Sequence, residues 1–141
     1  MVMAMSQSDR VYAIVYGAQT PSADEWARCL EMCRERTGLS SRFVVETHGG
    51  GPDAKQRKAL ADLLRHEDAR VAVLTDSIVA RGILTALAWL GLPQRGFAPG
   101  DLRGAASYLE LSADEMQTVF EELTRLRSEL GFYENKRTAT G

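Results

Sequence analysis

Short apolar runs alternate with longer amphipathic segments along this chain, and this alternation restricts the fold more than any other feature. The runs lie at residues 11–16 (VYAIVY), 42–47 (RFVVET), 71–75 (VAVLT) and 94–97 (QRGF). The first three are rich in β-branched and aromatic residues, which favour strands, and the last is a shorter strand candidate. Near-continuous apolar character indicates strands that are covered on both faces of a sheet.

The segments between these runs carry apolar residues every three or four positions, which predicts amphipathic helices. Ser22 and Glu25 form a capping box at the start of the first helix. A second helix is expected from about Asp53, a third over residues 78–90, and a small one that ends near Leu109. Helices that alternate with buried strands are typical of a layered α/β fold.

A second capping box, Ser112 with Glu115, starts a last helix. We therefore predict an α/β protein with a four-stranded, mostly parallel open sheet, four or five flanking helices and an extra C-terminal helix. The first strand is the candidate for antiparallel pairing at an edge. We expect a single domain over residues 10–132, a disordered segment at 1–9 and a flexible tail at 133–141.

Composition excludes several classes of function. The chain has 141 residues and a formal net charge of −2, with acidic and basic residues interleaved, so neither nucleic acid nor an anionic membrane surface is an expected partner. Arg81 interrupts the longest apolar segment, which is too short to span a membrane. The first ten residues lack a signal-peptide pattern, and we expect a cytoplasmic protein.

Cofactor and metal sites find little support in the sequence. The turn after the first strand, residues 17–21, lacks the glycines of a dinucleotide-binding loop, so we expect no nicotinamide cofactor. Cys29 and Cys33 lie on one face of the first helix beside Trp26, where they are interpreted as core residues rather than metal ligands or a redox pair. No metal site is predicted.

The loop after the second strand is a candidate for ligand or anion binding. It contains His48, Gly49, Gly50 and Gly51 directly before a helix, whose N-terminal N–H groups attract anions. The alternative is a flexible glycine turn closed by Pro52. By itself, His48 is better interpreted as a structural residue than as a catalytic one.

The loop after the third strand contains Asp76 and Ser77. One of them is expected to cap the following helix, and Ser77 is also the candidate for phosphorylation at a helix N-terminus. Arg81, one turn later, either contacts a partner or a phosphate or is a solvated side chain. Ser77 could form a catalytic triad with His48 or His66, but the sequence has no Gly-x-Ser-x-Gly nucleophile elbow. We therefore predict no enzyme.

The VAVLTDS strand end, the apolar segment after it and a later helix together resemble the STAS superfamily, which comprises sulphate-transporter and anti-sigma-antagonist domains. The likeness is nearest to the divergent bacterial branch related to SpoIIAA and to the CRAL-TRIO lipid-binding fold, and it covers about residues 10 to 110. The matching positions of the later helix are Phe97, Leu102, Ala105 and Leu109. Ile78 and Val79 follow the serine where the family has a small residue and glycine.

The resemblance implies a non-enzymatic regulatory or protein-interaction domain, with Ser77 at the position of the phosphorylated serine and an anti-sigma-type kinase or another regulator as its partner. Asp76, Ser77 and Arg81 would then contact that partner. The apolar stripe of the last helix, Phe120, Leu123 and Leu126, is expected to pack onto its own sheet, with homodimerisation through this stripe as the alternative. The alternative is a small-molecule or lipid-binding domain. Its pocket is expected among four aromatic residues, Tyr12, Trp26, Trp89 and Phe97.

Overall fold

The computed structural model describes residues 2–35, 39–77 and 92–132, which form five strands and four helices. The strands are β1 (Met3–Ser8), β2 (Val11–Tyr16), β3 (Ser41–Thr47), β4 (Ala69–Leu74) and β5 (Gln94–Phe97). The helices are α1 (Ala23–Arg34), α2 (Ala54–Leu63), α3 (Leu102–Leu109) and α4 (Ala113–Glu129). The α/β class is confirmed. The predicted helix at 78–90, with Arg81, and the tail at 133–141 lie outside the described residues.

The strands form one sheet in the order β1-β2-β3-β4-β5. β1 is antiparallel to β2, and the three remaining neighbouring pairs are parallel. The prediction of a four-stranded, mostly parallel sheet is therefore wrong, because the sheet is five-stranded and mixed. The carboxyl ends of β2, β3 and β4 lie at one edge, where open α/β sheets bind ligands.

The additional strand lies within the segment 1–9, which the sequence predicted to be disordered. β1 and β2 form a tight hairpin in which Ser8 lies opposite Val11, and Asp9 has a φ of 52° in the turn. Asp tolerates this left-handed conformation better than most residues. The first two residues of β1 are buried, the next two are partly buried and the last two are exposed. Its last three residues are polar, so the strand shows no clear alternating pattern of apolar positions.

Side chains of the central strands alternate between two apolar cores, one on each face of the sheet. Phe43 and Val45 face the core that also contains buried residues of α1, whereas Val44 faces the core formed with α3 and α4. We call these the cavity face and the closed face. The α4 residues Leu123 and Leu126 are buried in the closed face and pack against the chain's own sheet, whereas Phe120 is 54% exposed.

Three of the predicted helix starts, at Ser22, Asp53 and Ser112, agree with the structure. Ser22 caps α1 and Ser112 caps α4, each in a capping box with the glutamate three residues later. Asp53 caps α2 in the same arrangement with Gln56. The longest described helix, α4, has 17 residues, and none of the helices in the described ranges is long and apolar enough to cross a membrane.

Arg42 fixes α3 on the closed face although it is a buried charged residue, with only 3% of its surface exposed. Its Nε donates to the carbonyl oxygen of Leu109 at 3.0 Å, and its Nη1 donates to the carbonyl oxygens of Ser41 and Asp68, each at 3.0 Å. Leu109 is the last residue of α3, where the helix dipole is negative. Hydrogen bonds to these oxygens offset the cost of burying the guanidinium group.

Candidate functional site

A cavity of about 230 Å³ lies on the cavity face, below the carboxyl ends of the central strands. Two aliphatic or aromatic residues from each of three neighbouring strands form its floor, because alternate residues of a strand point to the same side. They are Ile14 and Tyr16 of β2, Phe43 and Val45 of β3, and Val71 and Val73 of β4. This wall is apolar, so a ligand would be held mainly by the removal of apolar surface from water.

Trp26 of α1 lines the same cavity and carries a polar group without a partner. The tryptophan is 5% exposed, and in the described part of the chain its Nε1 is the one buried side-chain nitrogen or oxygen that has no hydrogen bond. A buried indole N–H normally finds an acceptor. The indole N–H of Trp26 is therefore a buried donor without an acceptor among the described residues.

Two threonines at the ends of β3 and β4 line the cavity, and both use their hydroxyl groups inside the fold. Thr47 Oγ1 donates to the carbonyl oxygen of Gly50 at 2.5 Å and accepts the N–H of Gly49 at 3.2 Å. Thr75 Oγ1 accepts the N–H of Ser77 at 3.2 Å. These hydrogen bonds hold the loops at the cavity's edge.

The glycine run after β3 serves mainly to close the fold. Gly50 donates its N–H to the carbonyl oxygen of Gly17 at 2.8 Å. A Cβ atom at Gly50 would lie 2.3 Å from the carbonyl oxygen of Gln19, so only glycine allows this approach of two loops. Gly49 donates to Thr47, as described above. Two of the three N–H groups expected to hold an anion are therefore already engaged.

The start of α2 also disfavours an anion at this loop. The carboxylate of Asp53 accepts the N–H of Gln56 at 2.8 Å and so lies at the positive end of the helix. Gly50 and Gly51 do line the cavity, together with Arg57 from the first turns of α2. Arg57 is exposed and donates to the carbonyl oxygen of Pro52 at 2.7 Å, which places its charge at the rim.

His48 lies apart from the other residues of its predicted site. Its Nε2 is 2.7 Å from Glu46 Oε2, and its ring stacks on Phe132 with a centroid distance of 4.0 Å. The same Glu46 carboxylate accepts Arg127 Nε at 3.1 and 2.9 Å. Glu46 points to the α4 side of the sheet, so His48 and the cavity-lining glycines do not form one site. This cluster attaches the end of α4 to β3, a structural role.

Asp76 and Ser77 lie on the rim directly after β4. Asp76 is exposed and Ser77 is partly exposed. The N–H of Ser77 donates to Thr75, which lines the cavity, so the rim and the cavity are connected through one hydrogen bond. The proposed helix start at Ser77 depends on residues beyond 77, which lie outside the described range, as does Arg81.

Cys29 and Cys33 are both 2% exposed and belong to the apolar core of the cavity face, as the sequence predicted. A hydrogen bond with Cys33 and burial raise the pKa of the Cys29 thiol, so this sulfur stays protonated. Residues 2–35, 39–77 and 92–132 contain no group of three or more His, Cys, Asp or Glu side chains placed to hold a metal ion.

The aromatic residues that were expected to form one pocket do not lie together in the structure. Trp26 lines the cavity, whereas Tyr12 is fully buried below it and stacks on Phe43 at 4.6 Å. Phe97 packs on the closed face beside Tyr108. Trp89 lies outside the described residues. The sequence did not indicate that Gln94 and Arg57 line the cavity. For Gln94 the predicted strand was a usable signal, because alternate residues of a strand face the same side of the sheet.

Comparison of the chain with protein-family models, with curated proteins and with solved structures gives no match. The geometry of the cavity and its rim is therefore the basis for any functional conclusion.

Proposed function

We propose that this chain is a non-enzymatic binding domain for a small, mostly apolar molecule. The observation that carries the proposal is the cavity of about 230 Å³ lined by residues of β2, β3 and β4. It lies at the sheet edge where α/β proteins bind ligands, and an apolar wall with few polar groups is typical of ligand pockets. Of the two readings of the sequence, the small-molecule alternative has the stronger structural support.

The size of the cavity limits the size of the molecule that it can bind. Pockets for drug-sized ligands occupy about 300–1,000 Å³, and a cavity of about 150 Å³ is sufficient for benzene. At about 230 Å³, the cavity suits a molecule of one substituted ring rather than a long-chain lipid. We therefore propose a small ring compound, and not a membrane lipid, as the ligand.

Two substitutions on the same strand test whether the cavity is an open binding site. We expect Val45→Phe to fill part of the cavity and to change the free energy of unfolding by less than about 1 kcal/mol, because space is present. Val44→Phe inserts the same side chain into the packed closed face, where Val44 is 0% exposed, and should destabilise by about 1–3 kcal/mol. Urea denaturation measures both values.

Ligand retention completes this test. Native mass spectrometry of the protein purified from its own cells should show a retained small molecule that Val45→Phe loses and Val44→Phe keeps. Equal destabilisation by the two substitutions would mean that the cavity face is already filled, and it would contradict the proposal.

A second candidate is a regulatory domain that binds a protein partner through the rim, as the STAS resemblance implies. The observation that favours it is the exposure of Asp76 beside the partly exposed Ser77, at a loop that hydrogen-bonds to the cavity wall through Thr75. A phosphate on Ser77 would add negative charge at this rim. The partner is an anti-sigma-type kinase or another regulator.

Affinity capture with intact-mass analysis tests this second candidate. Wild-type protein should recover a partner that Ser77→Asp loses and Ser77→Ala retains, and a fraction of the wild-type chain should carry a phosphate. Identical recovery by all three proteins, without phosphate, would exclude Ser77 as a switch.

A further inference from the structure

The outer edge of β1 has backbone groups without a strand partner among the described residues. The N–H of Gly17 donates to the carbonyl oxygen of Val2, so the even-numbered residues of β1 form the hydrogen-bonded pairs with β2. The N–H and C=O groups of Met5 and Gln7 therefore point away from β2, to the free edge of the sheet. A row of such groups is a template for the addition of another strand.

Helix α1 covers the start of this edge and leaves the rest open. The carboxylate of Glu25 accepts the N–H of Val2 at 2.9 Å and also that of Met3. Sheets commonly protect an open edge with a charged residue, a proline or a bulge. β1, with the sequence MAMSQS, has neither charge nor proline, and it pairs with β2 residue by residue. The edge at residues 5–7 is therefore short, but nothing in β1 itself prevents another strand from pairing with it.

A groove with acidic walls lies beside this edge on the closed face. It is a cavity of about 140 Å³ between the first hairpin and α4. Ser6 and Ser8 of β1 line it. No lysine, arginine or histidine is among the described residues of its wall, which we call the acidic groove. Its four carboxylates belong to Asp9, Asp114, Glu115 and Glu122.

The carboxylates of the acidic groove suit several cations in a row. Glu115 and Glu122 each pair with one arginine, whereas the exposed Asp9 and Asp114 form no ion pair with a described residue. A metal ion needs several oxygens around one point. In the described ranges, no three acidic, histidine or cysteine side chains are placed in that way. The negative charge is therefore spread along the groove.

The alternation of side chains connects the edge with the groove. Ser6 and Ser8 face α4, whereas Met5 packs against the core of the cavity face. In a strand that pairs with β1, the residues opposite the two serines would point to the same side as the serines. Every second residue of that strand would then face the acidic groove.

We propose that the free edge of β1 and the acidic groove together bind an extended segment of another protein, in which every second residue is lysine or arginine. The segment adds a sixth strand to the sheet, and its basic side chains lie along α4. The proposal does not depend on the ligand-binding function, since the groove and the apolar cavity lie on opposite faces.

A second copy of this chain fits the edge less well than a basic segment does. Two β1 strands that pair about a two-fold axis would place both α4 helices on the same face of the joint sheet. Two acidic grooves would then adjoin, and like charges side by side are destabilising.

Two acetylated and amidated peptides of the same composition test this docking site. Lys-Val-Lys-Thr-Lys-Val-Lys has lysine at every second position, whereas Lys-Lys-Val-Thr-Val-Lys-Lys does not. Fluorescence anisotropy of the labelled peptides at low ionic strength measures their dissociation constants. We expect the wild-type protein to bind the alternating peptide about 5-fold more tightly, because only this peptide directs all its lysines to the groove. Equal affinity for the two peptides, or no binding of either, would overturn the proposal.

Substitution of Gln7 tests the backbone pairing. Gln7→Pro removes an N–H that points to the free edge, and proline is tolerated at such an edge position. Gln7→Thr loses the same side chain but keeps the N–H, so it is the matched control. We expect Gln7→Pro to bind the alternating peptide about 2- to 10-fold more weakly than Gln7→Thr does. Equal binding by the two variants would contradict strand addition at this edge.

Substitution of two neighbouring glutamates tests the groove. Glu122 lines it, whereas Glu121 accepts from Gln117 and does not. Glu122→Gln should weaken binding of the alternating peptide by about 2- to 5-fold, and Glu121→Gln, with the same change of net charge, should weaken it clearly less. The same loss in both variants would show that only the overall charge attracts the peptide, which would overturn the proposal.

Amide exchange of the wild-type protein needs no substitution and covers the case in which Gln7→Pro does not fold. The alternating peptide should slow the exchange of the Met5 and Gln7 amide protons and leave Ala4 and Ser6 unchanged, because these two are already paired with β2. Unchanged exchange at Met5 and Gln7 with the peptide bound would overturn the proposal. So would a dimer of the wild-type protein, found by sedimentation without peptide, that protects these same two amides, since a second copy would then occupy the edge.

Discussion

At the scale of single residues, Arg10 and Glu115 connect parts of the chain that are 105 positions apart. Arg10 Nε donates to Glu115 Oε2 at 2.9 Å and Nη2 donates to Oε1 at 3.0 Å, which is a two-pronged ion pair. Arg10 belongs to the turn between β1 and β2, and Glu115 also closes the capping box of α4. This pair therefore holds the first hairpin against the last helix.

The Arg10–Glu115 pair gives a stability effect that depends on pH. Its hydrogen bonds with Arg10 lower the pKa of Glu115 from 4.5 to about 2. A lowered folded-state pKa adds stability that is present above pH 4.5 and is lost as the pH falls through about 2. Because the side chains are 30% and 27% exposed, we expect Arg10→Gln to cost about 1 kcal/mol at pH 7.

Urea denaturation of the wild type and Arg10→Gln from pH 7 to pH 2 measures this effect, with the exposed Arg103→Gln as a control for net charge. The difference between wild type and Arg10→Gln should shrink toward pH 2. A difference that is independent of pH, or equal to that of Arg103→Gln, would show that the ion pair does not stabilise the fold.

At the scale of elements, the formation of β1 depends on its pairing with β2. All six residues of its partner β2 are buried, but only the first two residues of β1 are buried and its last two are exposed. Hydrogen exchange distinguishes a paired strand from the disordered segment that the sequence predicted. The N–H of Gly17 donates to the carbonyl oxygen of Val2, which places the even-numbered residues of β1 in the hydrogen-bonded pairs with β2.

We expect the amide protons of Ala4 and Ser6 to exchange more slowly than those of Met5 and Gln7, because the latter point to the free edge of the sheet. Amide exchange followed by NMR at neutral pH measures the four rates. Uniformly fast exchange over residues 3–8 would contradict the strand and would restore the prediction of a disordered segment.

The elements that the sequence predicted well are those with strong local signals. VYAIVY is apolar at every position, and β2 occupies these same residues. The capping boxes at Ser22 and Ser112 fixed two helix starts because both partners lie within one turn. β1 was missed because its stability comes from pairing with β2, a tertiary effect that its own polar sequence does not display.

The site was less predictable than the fold, since a cavity depends on which side chains meet across elements. Trp26 was expected to line a pocket and does so, but Phe97 lies on the opposite face because of its position in the alternation of β5. His48 and Gly50 are two residues apart in the sequence, yet the histidine contacts Glu46 on the α4 side while Gly50 lines the cavity, because the chain turns between them at Gly49, whose φ is 109°. Sequence proximity therefore suggested one site where the structure has two environments.

At the scale of the whole molecule, each face of the sheet carries an apolar core, and the cavity described above lies on one of them. The closed face contains α3 and α4, the buried Arg42 and the Glu46–Arg127 ion pair, which together fix the helices. The cavity face combines an apolar wall, an unpartnered Trp26 and a rim with Asp76 and Ser77. Both cores stabilise the fold, and we propose that the cavity face in addition binds a ligand.

Xenon binding tests this proposal most directly, because apolar cavities take up xenon without any specific contact. In ¹³C-methyl spectra of the protein under xenon, the signals of Val45 and Val73 should shift, whereas those of Val44 and Leu74 should not, since adjacent residues of β3 and β4 point to opposite faces. Shifts of equal size on the two faces, or none on either, would contradict the cavity and the binding function proposed for it.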